Sequence, residues 1–302
     1  MDFVPRQPIP ETAPVVERIP EVPFTGLQTL WLQVGGTLCN LSCNHCFISC
    51  HPENHNIPMM TLGKVRAHLE EAKAQGVQDI YITGGEVFLN PQIMEILEAI
   101  LEYGPCHALT NGTTLNKKRV EQLKEIQARS RHPLHFRVSL DSLDEKENDS
   151  VRGENSFRQA TEGIRNLSAA GFPTHLTLVR SWDEDDDPIM EKKTLQFLSD
   201  LGAPNGQAKF LPGFLMGELE KTAREYHAHE RVTEACFENW PITNLQCSSS
   251  RMATEDGVYV CPILVEEPSA RMGANISDTL RPYPLSHSAC YTCRISGMSC
   301  KS

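Results

Sequence analysis

The sequence lacks any long hydrophobic run. No stretch approaches the roughly 20 consecutive apolar residues that a membrane-spanning helix requires, so we expect no membrane contact of that kind. Residues 1–23 also lack the basic-then-apolar pattern of a secretory signal. With neither feature present, the sequence predicts a cytoplasmic protein.

Basic residues are scarce relative to acidic ones. The 302 residues include 28 Lys and Arg against 39 Asp and Glu, which gives a formal net charge of −11. Proteins that bind nucleic-acid backbones need a basic face that displaces counterions. We therefore expect no nucleic-acid partner, although this composition still permits a local basic pocket.

Cysteine, in contrast, is abundant. The chain has 11 cysteines, an odd number, and without a secretory signal this argues against a disulfide framework. The thiols fall into two groups, one near the N-terminus and one in the last fifth of the chain, and only Cys106 and Cys236 lie between them. Two separated groups of thiols predict two metal sites.

Strand and helix patterns alternate from residue 27 onward. Six apolar strand segments (29–34, 79–83, 106–110, 135–140, 174–179 and 207–211) are predicted, with helices over 61–74, 91–103, 116–129, 157–170 and 188–201 between them. Such alternation predicts an α/β fold, a partial (β/α)6 TIM barrel with its helices outside. After Pro212 the rhythm stops, and a helix is expected over 218–240.

The same patterns divide the chain into three parts. Residues 1–26 are a proline-rich N-terminal arm, because proline at this density prevents helix formation. Residues 27–213 contain the predicted barrel. Residues 214–302 contain the second group of cysteines and are expected to form a small domain of their own.

Cys39, Cys43 and Cys46 are spaced C-x3-C-x2-C, directly after the first predicted strand. Three thiolates on one short loop can hold three irons of a four-iron cluster. The fourth iron then lacks a protein ligand and can bind a small molecule. The spacing therefore favours reactivity over a purely structural site.

Further motifs follow the later strands: Gly84-Gly85-Glu86 after the second, Thr110-Asn111-Gly112 after the third and Ser139-Leu140-Asp141 after the fourth. Val151-Arg152-Gly153 precedes the next helix. Together with the triple cysteine, these motifs resemble those of the radical SAM enzymes, over roughly residues 27 to 211. The resemblance implies that the open iron binds S-adenosylmethionine (SAM) and that an electron from the cluster cleaves it to methionine and a 5′-deoxyadenosyl radical.

The resemblance also implies roles for individual residues. His45 would lie on the adenine, and the Gly84 and Gly85 backbone would approach the methionine end of SAM closely. Glu86 would accept hydrogen bonds from the methionine ammonium. The remaining cofactor contacts would come from Asn111, Ser139 and Arg152. The family usually has proline after this glutamate, whereas this chain has Val87.

The tail resembles the SPASM or twitch extension found after many radical SAM barrels. Cys247 and Cys261 flank a predicted hairpin that turns at Asp256-Gly257, and Cys290 and Cys293 form a C-x2-C pair. The resemblance implies that these four cysteines hold an auxiliary 4Fe–4S cluster, so two clusters are expected. A zinc site formed by the same four thiolates is the alternative.

Two groups of residues remain as candidates for acting on the substrate. Cys236 and Cys300 are candidate hydrogen-atom donors to a carbon radical, against the alternatives of packing or, for Cys300, cluster ligation. Asp141, Arg180 and Lys209 follow or end barrel strands, where they are candidates for substrate contacts. Salt bridging at the barrel rim is an equally good interpretation of Arg180 and Lys209.

The resemblance implies an oxidoreductase in which the auxiliary cluster accepts the electron left on the substrate radical, and we predict dehydrogenation of a small polar molecule. A radical epimerase with a cysteine donor and a maturase of ribosomal peptides are alternatives. A zinc-stabilised binding module is the non-enzyme alternative. Expected partners are a small-molecule or peptide substrate and an electron donor such as flavodoxin or ferredoxin.

Overall fold

Residues 18–297 are described in the computed structural model of this chain. The strands are β1 (Glu21–Val22), β2 (Thr29–Leu32), β3 (Asp79–Ile82), β4 (Cys106–Thr110), β5 (Leu134–Leu140), β6 (Thr174–Val179), β7 (Ala208–Leu211), β8 (Ser250–Ala253), β9 (Val258–Tyr259), β10 (Arg271–Gly273) and β11 (Tyr283–Pro284). The helices are α1 (Leu62–Gln75), α2 (Ile93–Tyr103), α3 (Lys117–Arg129), α4 (Glu145–Arg152), α5 (Ser156–Ala169), α6 (Asp187–Asp200) and α7 (Ser288–Ile295).

The predicted partial barrel is confirmed. Strands β2 to β7 lie side by side in chain order, and each neighbouring pair is parallel. Parallel strands buried on both faces need continuous apolar sequence, as Thr29–Leu32 and Asp79–Ile82 show. The carboxyl ends of these strands meet at one rim, where the sequence motifs follow them.

Helix boundaries follow local capping chemistry. Thr61 begins α1 by accepting a hydrogen bond from the amide of Lys64, and Gly76 ends it with φ of 70°. Asn116 caps α3 in the same way, through the amide of Arg119. The apolar faces of the helices pack on one side of the sheet in a core that includes Leu30, Ile80, Ile96, Phe136 and Leu176.

The prediction of a helix over residues 218–240 is wrong. This segment contains only the short 3-10 turns Leu219–Lys221 and Glu234–Phe237. It has no apolar stripe at helical spacing, and the buried carboxylate of Glu230 instead accepts hydrogen bonds from the Arg224 guanidinium and the His227 amide. A charged loop closed by these bonds replaces the helix.

The C-terminal segment joins the barrel sheet. The predicted hairpin is present, with β8 and β9 antiparallel, and β8 pairs in parallel with β2 through the register Trp31↔Met252. The full sheet order is β10-β9-β8-β2-β3-β4-β5-β6-β7, so the sheet continues past residue 213. The division of the chain at residues 213 and 214 stays a prediction.

Within residues 18–297, no helix is both long enough and apolar enough to cross a membrane.

A ladder of stacked rings crosses the inner face of the sheet. Trp31, Tyr81, His107 and His135 lie on adjacent strands with ring centroids 4.4 to 4.8 Å apart, and His175 follows at 6.2 Å. Burial and the neighbouring cations lower the pKa of His107 and of His175 to about 4. The Nδ1 atom of His175 also accepts the amide hydrogen of Gln207 at 3.0 Å, which requires a neutral nitrogen.

We expect the ladder to make the protein sensitive to acid. A histidine whose pKa is lower in the folded state binds more protons when unfolded, so stability falls as pH drops from about 6.5 towards 4. His175→Asn keeps an acceptor near the Gln207 amide but cannot titrate. Between pH 7 and pH 4.5, the free energy of unfolding of this variant should fall by on the order of 1 to 2 kcal/mol less than that of the wild type. The difference is no larger because solvent screens a half-buried charge.

Urea unfolding at both pH values measures this difference. His229→Asn, at an exposed histidine, is the matched control and should keep the wild-type pH dependence. Equal pH dependence in both variants would show that protonation of the ladder does not lower the stability of the folded state.

Candidate functional site

A cavity of about 1330 Å³ opens at the carboxyl ends of the barrel strands. It is lined by most of the residues that the sequence motifs single out: Cys39, Cys43, His45, Cys46, Gly84, Gly85, Asn111, Ser139, Arg152 and Lys209. Cys50, Arg137 and Thr177 also line it. The structure therefore brings together, at one rim, residues that are up to 170 positions apart in the printed sequence.

The three cysteines of the C-x3-C-x2-C loop all face this cavity. Burial raises the pKa of Cys39 to about 11 and that of Cys43 to about 12, so these thiols keep their protons at neutral pH until a metal displaces them. The Cys50 thiol donates to the sulfur of Cys46 and lowers its pKa to about 6, against the opposing effect of burial. Three soft donors on one loop, with room beside them, fit an iron–sulfur cluster with one open iron.

Gly84 and Gly85 pack backbone to backbone against the cysteine loop. A Cβ on Gly85 would lie 2.1 Å from the carbonyl oxygen of Leu38. Gly84 has a φ of 135°, and a Cβ on it would clash with the backbone of Gly35. The amide of Glu86 donates to the Leu38 carbonyl at 3.0 Å. The two glycines therefore position the first cluster ligand, Cys39, in addition to bordering the cavity.

Glu86 is bound by the protein's own hydrogen-bond donors, and its contact with the methionine ammonium stays a prediction. Its side chain is fully buried, is not among the cavity-lining residues, and accepts hydrogen bonds from the Thr110 hydroxyl at 2.8 Å and from the amides of Asn111 and Phe88. Burial raises its pKa, although these donors oppose the shift. In this arrangement Glu86 holds the ends of β3 and β4 together, because the protein's own donors occupy its carboxylate.

Asn111 connects the rim to the cysteine loop. Its Nδ2 lies 2.9 Å from Asn40 Oδ1 and 3.7 Å from Cys39 Sγ, while its Oδ1 accepts from the amide and hydroxyl of Thr113. An N–H directed at a ligand sulfur is the kind of contact that tunes an iron–sulfur cluster. Its cofactor-binding role stays a prediction.

Asp141 is the centre of a buried charge cluster. His45 Nε2 lies 2.7 Å from Asp141 Oδ1, and Arg152 Nε lies 2.6 Å from Oδ2. Burial opposes ionisation, but Arg152 and His45 together lower the pKa of Asp141 to about 2. Asp141 fixes these two cavity-lining side chains, and its own contact with substrate stays a prediction.

The two cationic candidates, Arg180 and Lys209, lie in different surroundings. Arg180 pairs with Asp187, with Nε 2.9 Å from Oδ1, and is not among the cavity-lining residues. This pairing agrees with the salt-bridge interpretation, and a substrate contact of Arg180 stays a prediction. Lys209 does line the cavity, as does Arg137, which the sequence analysis missed. Because β5 alternates its side chains, Arg137 shares the inward face of Ser139, and that alternation was the available signal.

A second cavity of about 530 Å³ lies in the C-terminal segment. The four predicted auxiliary ligands all line it: Cys247, Cys261, Cys290 and Cys293. Apolar side chains, among them Val260, Leu264 and Tyr283, form much of the remaining wall. Burial raises the pKa of Cys290 to about 12 and raises that of Cys261 as well. Four converging thiols in a dry pocket fit a fully liganded cluster.

Of the two candidate hydrogen-atom donors, Cys236 is described, and it does not lie at the large cavity. Cys236 is buried in the core of the C-terminal segment, where its sulfur contacts the Thr233 amide at 3.4 Å, and it does not line the cavity. The structure thus favours packing for Cys236. Cys300 lies outside the described residues.

Among residues 18–297, no group of three or more His, Cys, Asp and Glu side chains is arranged to hold a single metal ion. Tetrahedral zinc requires ligands at about 2.0 to 2.3 Å from one point. The three cysteines of the C-x3-C-x2-C loop line the large cavity and four of the C-terminal cysteines line the second.

Comparison with known proteins adds a family match and several relatives. The radical SAM superfamily matches residues 34–191. Protein AlbA of subtilosin biosynthesis from Bacillus subtilis is 33% identical over 136 residues, which is 44% of this chain and 29% of AlbA. A GTP 3′,8-cyclase from Mannheimia succiniciproducens is 31% identical over 138 residues, 45% of this chain and 40% of the cyclase. The chain thus spans less than half the length of these relatives.

The solved structure of Streptococcus suis SuiB is similar in fold. It has a TM-score of 0.62 at 16% identity and covers 86% of this chain and 67% of SuiB. SuiB has also been solved with its precursor peptide SuiA. At this identity the likeness concerns the fold alone.

Proposed function

Because this chain belongs to the radical SAM superfamily, whose cofactors are SAM and a 4Fe–4S cluster, we propose that it oxidises its substrate by removing two hydrogens. The observation that supports oxidation is the set of four thiols around the second cavity. A cluster with all four irons liganded by protein has no open position for SAM, which leaves electron transfer as its chemistry. Dehydrogenation of a small polar molecule is the reaction of this class that we favour.

The proposed cofactor set assigns a role to each group of residues. Cys39, Cys43 and Cys46 would hold the first cluster, which together with SAM would supply the 5′-deoxyadenosyl radical that removes one hydrogen atom from the substrate. Cys247, Cys261, Cys290 and Cys293 would hold an auxiliary 4Fe–4S cluster within residues 214–302, which would supply an acceptor for the electron left on the substrate. A proton leaves for solvent, so atoms and electrons balance.

The residues of the large cavity bind, orient and exclude water. His45 and Arg152, held by Asp141, would contact SAM together with Gly84, Gly85, Asn111 and Ser139, which line the same cavity. Arg137 and Lys209 also line the cavity and carry positive charge, which suits a substrate with a carboxylate or phosphate. A flavodoxin or ferredoxin is proposed as the electron donor.

Oxidative modification of a ribosomal peptide is the second candidate. It is favoured by the likeness to AlbA, a protein of bacteriocin biosynthesis, and it shares the electron balance of dehydrogenation.

Deuterated candidate substrates test the reaction. One panel contains polar alcohols with a carboxylate, and the other contains cysteine-bearing peptides. Deuterium in the 5′-deoxyadenosine identifies a substrate that fits, and a product lighter by two hydrogens supports oxidation. A product of unchanged composition that has gained solvent deuterium contradicts oxidation and supports epimerisation.

Cys290→Ala is expected to separate the two clusters. Wild-type protein reconstituted anaerobically should bind about eight irons, and the variant about four. The variant should still form 5′-deoxyadenosine from SAM and dithionite but release no oxidised product, because the electron acceptor is missing. Chromatography of both products and an iron assay measure this; full product yield from the variant, or wild-type protein that is colourless and holds only zinc, would overturn the assignment.

A further inference from the structure

Arg251 is a buried cation at the edge of the second cavity. It lies in β8, four residues after Cys247, and its side chain is 1% exposed. The guanidinium donates only to backbone carbonyl oxygens, those of Cys247 (2.7 Å), Ser250 (2.6 Å), Thr279 (3.0 Å) and Arg281 (3.0 Å). The ring of Phe24 covers one face, with its centroid 4.5 Å from Cζ.

This charge has no carboxylate beside it among residues 18–297. None of the described ion pairs includes Arg251, and all four of its hydrogen-bond acceptors are neutral. Burying a charge without an opposite charge is costly, and arginine does not lose its proton in proteins. A buried guanidinium of this kind indicates that an anion belongs nearby.

The groups beside Arg251 that can become anionic are thiols, which lose their protons when they bind a metal. Cys247 and Cys261 are the two groups whose negative charge acts on Arg251, and both line the second cavity. Four thiolates around a four-iron core leave a net negative charge, and this charge is the anion that the arginine lacks. Both charges lie away from water, so their interaction is screened little.

We propose that Arg251 is the built-in counter-charge of the auxiliary cluster, where it stabilises the reduced form and so raises the reduction potential. This inference rests on the proposed cluster at Cys247, Cys261, Cys290 and Cys293. Its consequence for the reaction is direct: a higher potential makes the cluster a better acceptor for the electron of a substrate radical. The hydrogen bond to the Cys247 carbonyl also makes Arg251 a positioning residue for that ligand.

The test measures the reduction potential of the auxiliary cluster in protein that carries only this cluster. Cys43→Ala removes a ligand of the first cluster, so the redox titration followed by electron paramagnetic resonance reports the auxiliary cluster alone. In this background, Arg251→Gln keeps hydrogen-bond donors but loses the charge, and the midpoint should become more negative. Arg281→Gln removes an exposed neighbouring charge and should leave the midpoint unchanged, because solvent screens it.

A second variant keeps the test decisive if Arg251→Gln does not fold. Phe24→Glu places a carboxylate beside the intact guanidinium at a half-buried position, and it should lower the midpoint, whereas Phe24→Gln should not. An unchanged midpoint in Arg251→Gln, or in Phe24→Glu if the first variant does not fold, with the cluster present overturns the proposal. If Cys43→Ala protein binds no iron at all, the auxiliary cluster itself is refuted instead.

Discussion

Cys43→Ala protein is expected to form no detectable 5′-deoxyadenosine from SAM. Cys43 is the middle ligand of the loop that lines the large cavity, and a cluster held by two thiolates cannot keep a single iron open for SAM. The auxiliary site is built from other elements, so about four irons should remain per chain. Anaerobic reconstitution, an iron assay and chromatography after reduction by dithionite measure both quantities.

Cys106→Ala is the matched control for this variant. Cys106 is a fully buried thiol in β4 that lines neither described cavity, so its loss should lower stability without affecting SAM cleavage. Cleavage by Cys43→Ala at the rate of Cys106→Ala would show that the first cluster is held elsewhere.

Asp141→Ala is expected to destabilise the folded chain by about 3 to 5 kcal/mol, which is the usual cost of leaving a buried charge without its partner. Arg152 Nε lies 2.6 Å from this carboxylate, and both side chains are at least nine-tenths buried. His45 Nε2, 2.7 Å away, loses the same partner. Because His45 and Arg152 line the large cavity, SAM affinity should fall as well.

Anaerobic denaturant unfolding and equilibrium SAM binding measure the two effects. Asp141→Asn keeps the shape of the side chain and should lose less stability. Glu98→Ala breaks an exposed pair with Arg129 and should cost no more than about 1 kcal/mol. If Asp141→Ala were as mild as Glu98→Ala, the buried cluster would not contribute to stability.

The sequence predicted those parts of the fold that local patterns encode. Six apolar segments of strand length, separated by capped helices, were enough for the barrel, and motifs placed after strands necessarily share one rim. Thr61, for example, caps α1 through the Lys64 amide as its residue type suggested. The cysteine spacing likewise predicted both thiol groups, and both line cavities.

What the sequence did not predict depends on partners distant in the chain. Asp141 reads as an exposed rim acid until α4, missed for lack of apolar residues, turns Arg152 back towards it. The hydrogen bonds that Glu86 accepts from the Thr110 hydroxyl and the Asn111 amide were likewise not evident from the sequence. The segment 218–240 has helix-forming residues but no apolar face, and a buried Glu230 organises it as a loop. None of these outcomes follows from spacing alone.

The pairing of β8 with β2 has a consequence for how the protein is made. The strand that carries the first cysteine loop at its end, β2, gains one of its two neighbours only when β8 has been synthesised, and contacts such as that between Thr25 and Ser248 join positions 223 residues apart. Such distant pairing forms late, because the whole intervening chain must first be available. Both groups of predicted cluster ligands therefore reach their final arrangement only after β8 and the segment that follows it have been synthesised.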